Sequence, residues 1–213
     1  MKQKYSLWLF LLLVIAIPVL IFLVYSRYQK IYADLPIYGP VQTSQGEETF
    51  HSVPAFELVS EANLPVIWDE QESDIVVANF FFTYCPSICP KMTSELTRVA
   101  AGFLDKGIHF YSFTVDPIRD TPQRLQSFAN KFEIDPNQWT LLTGDKKTIY
   151  KLARNGFFLT ATDGDGGPND FIHSEKVILL DQLRRIRGYY DGTDRKDMDR
   201  LIFDIKKLQN QQT

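Results

Sequence analysis

The run Ile75-Val76-Val77-Ala78-Asn79-Phe80-Phe81-Phe82 has few places to go in a folded domain. A strand with one wet face alternates apolar and polar residues. A strand covered by helices on both faces reads as a near-continuous apolar run. The run therefore predicts a central strand, buried on both sides. It leads into Cys85-Pro86-Ser87-Ile88-Cys89-Pro90, and a helical pattern follows from Lys91 to Leu104. Cys85 and Cys89 are the only two cysteines in 213 residues.

Cysteines where a strand stops and a helix begins resemble a thioredoxin-like active site. The N–H groups and dipole at a helix N-terminus favour anions, so a thiolate there is stabilised. Redox thioredoxins use Cys-x-x-Cys, whereas this chain has Cys-x-x-x-Cys. Two thiolates at i and i+4 can converge on one soft metal ion such as Cu(I). They can also close a small disulfide ring. Two buried structural cysteines are the plain alternative, since free cysteine is often buried.

The rest of the chain reads as an α/β protein. Val53 to Val59 predicts a strand, with Leu64 to Trp68 as its hairpin partner, and Pro54 argues for an edge position. Met92, Leu96, Val99, Ala100 and Phe103 recur at helical spacing, and Gly107 ends that helix. Ile108 to Val115 predicts the next strand. Asp120-Thr121-Pro122 starts a second helix, a capping residue preceding proline at the first helical position. Trp139 to Leu142 is a short strand, Lys146 to Asn155 a helix, and Phe157 to Ala161 extended. Lys176 to Asp181 and Arg185 to Tyr190 are two late strands, and Asp194 to Leu208 closes the chain as a helix. Alternating β and α elements imply parallel strands with right-handed crossovers. The expected fold is thioredoxin-like with an N-terminal β-hairpin extension, preceded by one transmembrane helix.

That last element rests on Leu7 to Val24, which is nearly all apolar and uncharged. Such a run approaches the length that spans a bilayer core. A cleaved signal peptide competes, but the run is long for one and no clean cleavage site follows. The expected organisation is a membrane anchor over 1–30, a tether over 31–49 and a thioredoxin-like domain over 50–213. A short leading segment places the bulk of the chain on the non-cytoplasmic side. The lack of an Arg-rich presequence points to a bacterial periplasm.

The first 30 residues hold four of the 23 basic residues and none of the 26 acidic ones, which leaves the remainder at a formal charge of −7. An acidic domain repels phosphate, so nucleic acid is excluded as a partner. Nothing in the sequence supplies a nucleophile–base pair for hydrolysis, a phosphate-cradling glycine loop or a two-domain nicotinamide layout.

Of the three histidines, His51 reads as a surface residue and His109, inside a strand, as a structural one. His173 ends an irregular loop and begins a strand. In a thioredoxin arrangement that position faces the cysteine turn, and with the two sulfurs it makes an S₂N donor set suited to copper. The loop Asp163 to Asp170 lacks the oxygen-ligand spacing of a calcium loop and reads as one that lets His173 move. Asp116, at a strand's carboxyl end, either starts a turn or lies near the metal, orienting a ligand or binding a partner. For Asp120 the same two readings stand, with the helix cap ahead of a place near the metal or a partner.

Cys85-Pro86-Ser87-Ile88-Cys89-Pro90, Thr114-Val115-Asp116-Pro117-Ile118-Arg119-Asp120-Thr121-Pro122 and Phe171-Ile172-His173-Ser174 together resemble the Sco/SenC family in order and spacing. The resemblance covers roughly residues 50 to 208. It implies a membrane-anchored, thioredoxin-fold copper chaperone that assists assembly of cytochrome c oxidase. By resemblance, Cys85, Cys89 and His173 are the ligands for Cu(I) or Cu(II). The implied partner is subunit II, whose dinuclear CuA site receives the copper or has its cysteines kept reduced, or an associated assembly factor. The family's usual segment before the histidine is closer to Val-Asp-His-Ser. A thiol–disulfide oxidoreductase, with Cys85 attacking and Cys89 resolving, is the competing function.

Overall fold

The computed structural model describes residues 12–26, 34–44, 47–69, 74–159 and 174–211. The chain separates into two units, Met1–Leu35 and Pro36–Thr213. In the first, residues 12–26 form helix α1, solvent-exposed along its length. Among the described residues no helix is long and apolar enough to cross a membrane. The start of the expected span, Leu7 onward, lies outside the described residues.

The segment expected as a tether carries a small hairpin, β1 (Val41–Ser44) and β2 (Glu47–Phe50), with Val41 opposite Phe50. The main sheet has seven strands: β3 (Phe56–Ser60), β4 (Pro65–Trp68), β5 (Ile75–Phe81), β6 (Ile108–Thr114), β7 (Trp139–Thr143), β8 (Lys176–Leu180) and β9 (Ile186–Asp191). Their order is β4-β3-β7-β6-β5-β8-β9. The inner strands β5, β6 and β7 are parallel, and hairpins β3–β4 and β8–β9 close the two sides in antiparallel fashion. The expected hairpin partners therefore pair. However, β3 is an inner strand, because Pro54 precedes it and leaves its N–H ladder intact. The edge is β4, which opens on Pro65.

Every residue of β5 is buried. Successive side chains point to opposite faces. Val76, Ala78 and Phe80 join an aromatic-rich cluster with Phe56, Trp68, Phe113 and Phe157. Phe80 stacks on Phe113, ring centres 4.9 Å apart, and meets Phe157 edge-on at 5.4 Å. Phe81, facing the other way, packs on Phe128, and Asn79 meets Met92. That second face is covered by α2 (Ile88–Ala101), α3 (Pro122–Lys131) and α5 (Arg195–Asn210). The expected face of α2 is buried: Met92, Leu96, Val99 and Ala100, with Phe103 beyond its end. Gly107 takes a positive φ of 65° in the turn that follows.

Between Lys146 and Leu159 the chain departs from expectation. Helix α4 (Lys146–Lys151) passes into a π-helical turn, Leu152–Gly156. Phe157 then donates its N–H to the Leu152 carbonyl at 2.9 Å and is fully buried. Phe158 follows at a φ of +52°, so 157–159 is not the extended segment the sequence suggested. The wide turn supplies the core with one more aromatic ring.

Phe80 touches two other rings in a closed core, and its removal leaves a cavity. Phe80→Ala is expected to lower unfolding stability by about 3–5 kcal/mol. A urea-unfolding shift below about 1 kcal/mol would mean the site collapses and the cluster is not the core.

Candidate functional site

The chain leaves β5 at its carboxyl end, where sites form in open α/β sheets. The Cys85 N–H donates to the Phe82 carbonyl at 3.3 Å, closing a tight turn. Ser87 caps α2 without a side-chain bond, and Cys89 falls in the first helical turn. Its N–H donates to Cys85 Sγ at 3.2 Å. Both cysteines are unbridged and buried, at 6% and 5% exposure, so a partner must approach closely to reach sulfur.

The two thiols are not equivalent. Burial pushes the Cys85 thiol up, but N–H groups of Cys89, Ser87 and Ile88, together with the Cys89 side chain, outweigh it and bring it below its ordinary 9.0. Cys89 is pushed up to about 12, first by burial, then by its bond to Cys85 and the negative charges of Cys85 and Asp120; the Phe82 backbone offsets this only in part. Thus Cys85 gives up its proton more readily than Cys89.

Asp120 does not cap α3. Thr121 takes the cap position and makes no side-chain cap bond, and Pro122 begins the helix. Asp120 is instead 1% exposed. Its carboxylate accepts from the Thr83 N–H at 3.0 Å, from Thr83 Oγ1, and from Thr114 Oγ1 at 2.6 Å. A buried carboxylate needs such donors, and these come from the chain just before Cys85 and from the end of β6. The bond network outweighs capping because a solvent-exposed cap would take away the acceptor for the Thr114 hydroxyl proton, in a fully buried residue. The line of contacts continues outward: Arg124 Nε donates to Thr83 Oγ1 at 3.0 Å, and the Arg124 guanidinium lies 3.7 Å from the centre of the Tyr84 ring.

Asp116 takes the turn reading. Its N–H donates to Thr114 Oγ1 at 3.0 Å, and its carbonyl accepts from Arg119 and Asp120 N–H groups. Its carboxylate pairs with Arg119 Nε at 2.6 Å. The Val115 N–H bonds to the Phe81 carbonyl at 2.8 Å, which seats this turn beside the cysteine turn.

His173 and the glycine-rich loop before it lie outside the described residues. Among the described residues no group of three or more His, Cys, Asp or Glu side chains could hold a metal ion. His109 is structural as expected: half-buried, it bonds to Thr140 Oγ1 at 3.0 Å, and burial lowers its pKa. His51 is not a free surface residue; its Nε2 lies 2.9 Å from the Gly156 carbonyl and its ring packs on Phe158.

Sequence reasoning missed Thr83, Thr114 and Arg124. It also passed over a buried polar chain behind α2. Trp139 Nε1 donates to Ser112 Oγ at 2.8 Å, and Ser112 donates to Asn79 Oδ1 at 2.5 Å. Asn79, a lone amide in an apolar run, was the available signal for that chain.

Comparison with known proteins places these features in context. The model of the family described as SCO1/SenC matches residues 44–210. A SCO1 protein homolog of Bacillus subtilis is 27% identical over 161 residues, 73% of this chain and 82% of that one. A Stutzerimonas stutzeri protein named for copper binding is 27% identical over 143 residues, 65% of this chain and 68% of that one. Among solved structures, BsSco is similar at a TM-score of 0.64 and 25% identity, over 75% of this chain and 94% of that one. It is a member of the Sco family of cytochrome c oxidase assembly proteins in which a disulfide switch was identified.

Alkylation with iodoacetamide across pH, read by peptide mass spectrometry, checks the thiol asymmetry. Cys85 is expected to react first, with half-maximal reactivity below pH 9.0, and Cys89 only near pH 12. Equal labelling would contradict it. Asp120→Asn removes one of the charges that raise Cys89, so the Cys89 inflection is expected to move down. An inflection that stays put would uncouple Asp120 from the thiols.

Proposed function

The chain belongs to the SCO1/SenC family, and from that premise we propose that it is a copper chaperone for cytochrome c oxidase assembly. Cys85, Cys89 and His173 hold the ion. The observation that carries this reading is the pair of unbridged thiols at i and i+4 on the strand-to-helix turn, each perturbing the other. Soft thiolates select Cu(I), and an imidazole donor suits either copper oxidation state. The donor chemistry thus fits copper as cargo.

The chain's own residues prepare that site. Cys85, whose thiolate is favoured by backbone N–H groups, is the readier donor, and both thiols give up their protons to bind the metal, so binding releases protons and strengthens as pH rises. Asp120 fixes the turn through Thr83. Copper passes to a cysteine-bearing partner by ligand exchange. That partner is subunit II of cytochrome c oxidase or one of its assembly factors, in keeping with what BsSco is described as serving. The apolar N-terminal run anchors the chain in the membrane, with the domain on the non-cytoplasmic, periplasmic side.

The thiol asymmetry favours a second reading, thiol–disulfide exchange. A lowered attacking thiol and a protonated resolving thiol suit reduction of a partner disulfide without metal.

Copper titration of the reduced protein separates the two. Wild type is expected to bind one equivalent against a competing chelator. Cys85→Ala and Cys89→Ala abolish that binding, and His173→Ala weakens it while leaving exchange with a model disulfide intact. A wild type that binds no copper but cycles readily against disulfides would make the protein a reductase. Equal loss of both activities in His173→Ala would give that residue a structural role.

A further inference from the structure

The surface next to the cysteine turn differs from the rest of the domain in charge. A groove of about 690 Å³ is lined by Thr83, Arg119, Thr121, Arg124, Ser127 and Lys131, with Gln123 and Phe128 completing it. Helix α3 contributes Arg124 and Lys131 and has no acidic residue along its length. Residues 31–213 as a whole carry a formal charge of −7, so this basic groove is a local reversal of sign.

Two of its three cations have no internal ion pair among the described residues. Among the described residues Arg124 and Lys131 have no carboxylate partner; Arg119 pairs with Asp116 but keeps 63% of its side chain in solvent. The Arg124 guanidinium sits over the Tyr84 ring, 3.7 Å from its centre, which holds it in place at the groove. Tyr84 and Ile118 stand 53% and 77% exposed beside it, an apolar fringe on a charged site. Tyrosine and arginine are the residue types that dominate binding energy at protein interfaces. Thr83, on the groove wall, is two residues before Cys85, so whatever lies in the groove sits next to the thiols.

We propose that this groove docks an acidic segment of the cysteine-bearing partner and so orients the partner's cysteines toward Cys85. The inference rests on the proposed function only in requiring such a partner. Charge complementarity identifies the occupant: three arginine or lysine side chains bordered by hydroxyls suit a run of carboxylates, and steering by such a patch acts on the association rate. The sites of exchange and of recognition are then separate, the first in the turn and the second on α3.

The test uses the full-length reduced protein and two peptide disulfides, each a dimer of one cysteine peptide, flanked by four glutamates or by four lysines. The Cys85 thiolate attacks one peptide sulfur and releases the first peptide as a thiolate. Cys89 then attacks Cys85, giving up its proton and releasing the second peptide. The peptide disulfide is reduced to two thiols as Cys85–Cys89 is oxidised. At low ionic strength the glutamate peptide is expected to react about tenfold faster than the lysine one, and about 0.5 M salt is expected to erase the preference.

The double variant Gln123→Glu/Lys131→Glu cancels the positive charge of the groove lining without touching the turn. It should lose the preference, while its rate with uncharged hydroxyethyl disulfide stays that of wild type. A preference that survives in the variant, or is absent from wild type, overturns the proposal. Saturable binding of inorganic phosphate with no preference between the peptides would make the groove a small-anion site and also overturn it. If wild type reacts with no disulfide, a fluorescent glutamate peptide with serine for cysteine, read by anisotropy, decides the same question. Copper titration stands apart: loss of copper binding with the preference intact removes the chaperone reading and leaves the groove.

Discussion

One buried carboxylate ties together the two loops that make this site. Asp120 reaches from the start of α3 to Thr83, just before the cysteines, and to Thr114, at the end of β6. The parallel pairing of β5 and β6 brings the two strand ends side by side; Asp120 then locks the loops that leave them. Hydrogen bonds to a charged group are among the stronger ones in a protein interior, and an unmet buried carboxylate is costly. The carboxylate and its hydroxyl donors therefore hold each other in place. The cysteine turn inherits that rigidity; Cys89 holds its proton chiefly because it is buried, with the charge of Asp120 a smaller contribution.

Two thiols with opposite tendencies make a site that can act in two ways. Cys85 is ready to bind or attack; Cys89 responds only when a metal or a mixed disulfide displaces its proton. The same asymmetry suits both the proposed copper capture and the alternative, disulfide exchange. What separates these outcomes is a third donor, and the proposed donor is His173.

Much of the framework was legible in the sequence because it follows from burial. A near-continuous apolar run reads as a strand covered on both faces, and Ile75–Phe81 is one. The α2 face followed from helical spacing, and the strand-to-helix position of the cysteines from their place between the two. The role of Asp120 was not legible, because an Asp-Thr-Pro sequence looks the same whether its carboxylate caps a helix or turns inward. Only the tertiary placement of Thr83, 37 residues earlier, decides it. His51 was misjudged for the same reason: its partner, the Gly156 carbonyl, lies 105 residues away. The helix over 12–26 and the hairpin β1–β2 lie where local pattern predicted an anchor and a tether.

X-ray absorption of the Cu(I)-loaded full-length protein tests the central claim most directly, because it counts the donor atoms on the metal. The account predicts two sulfur scatterers and one nitrogen in the first shell, with the nitrogen lost in His173→Ala and the sulfurs kept. A first shell of nitrogen and oxygen alone, or a copper–copper vector with sulfur bridging two molecules, would contradict a site built from Cys85, Cys89 and His173.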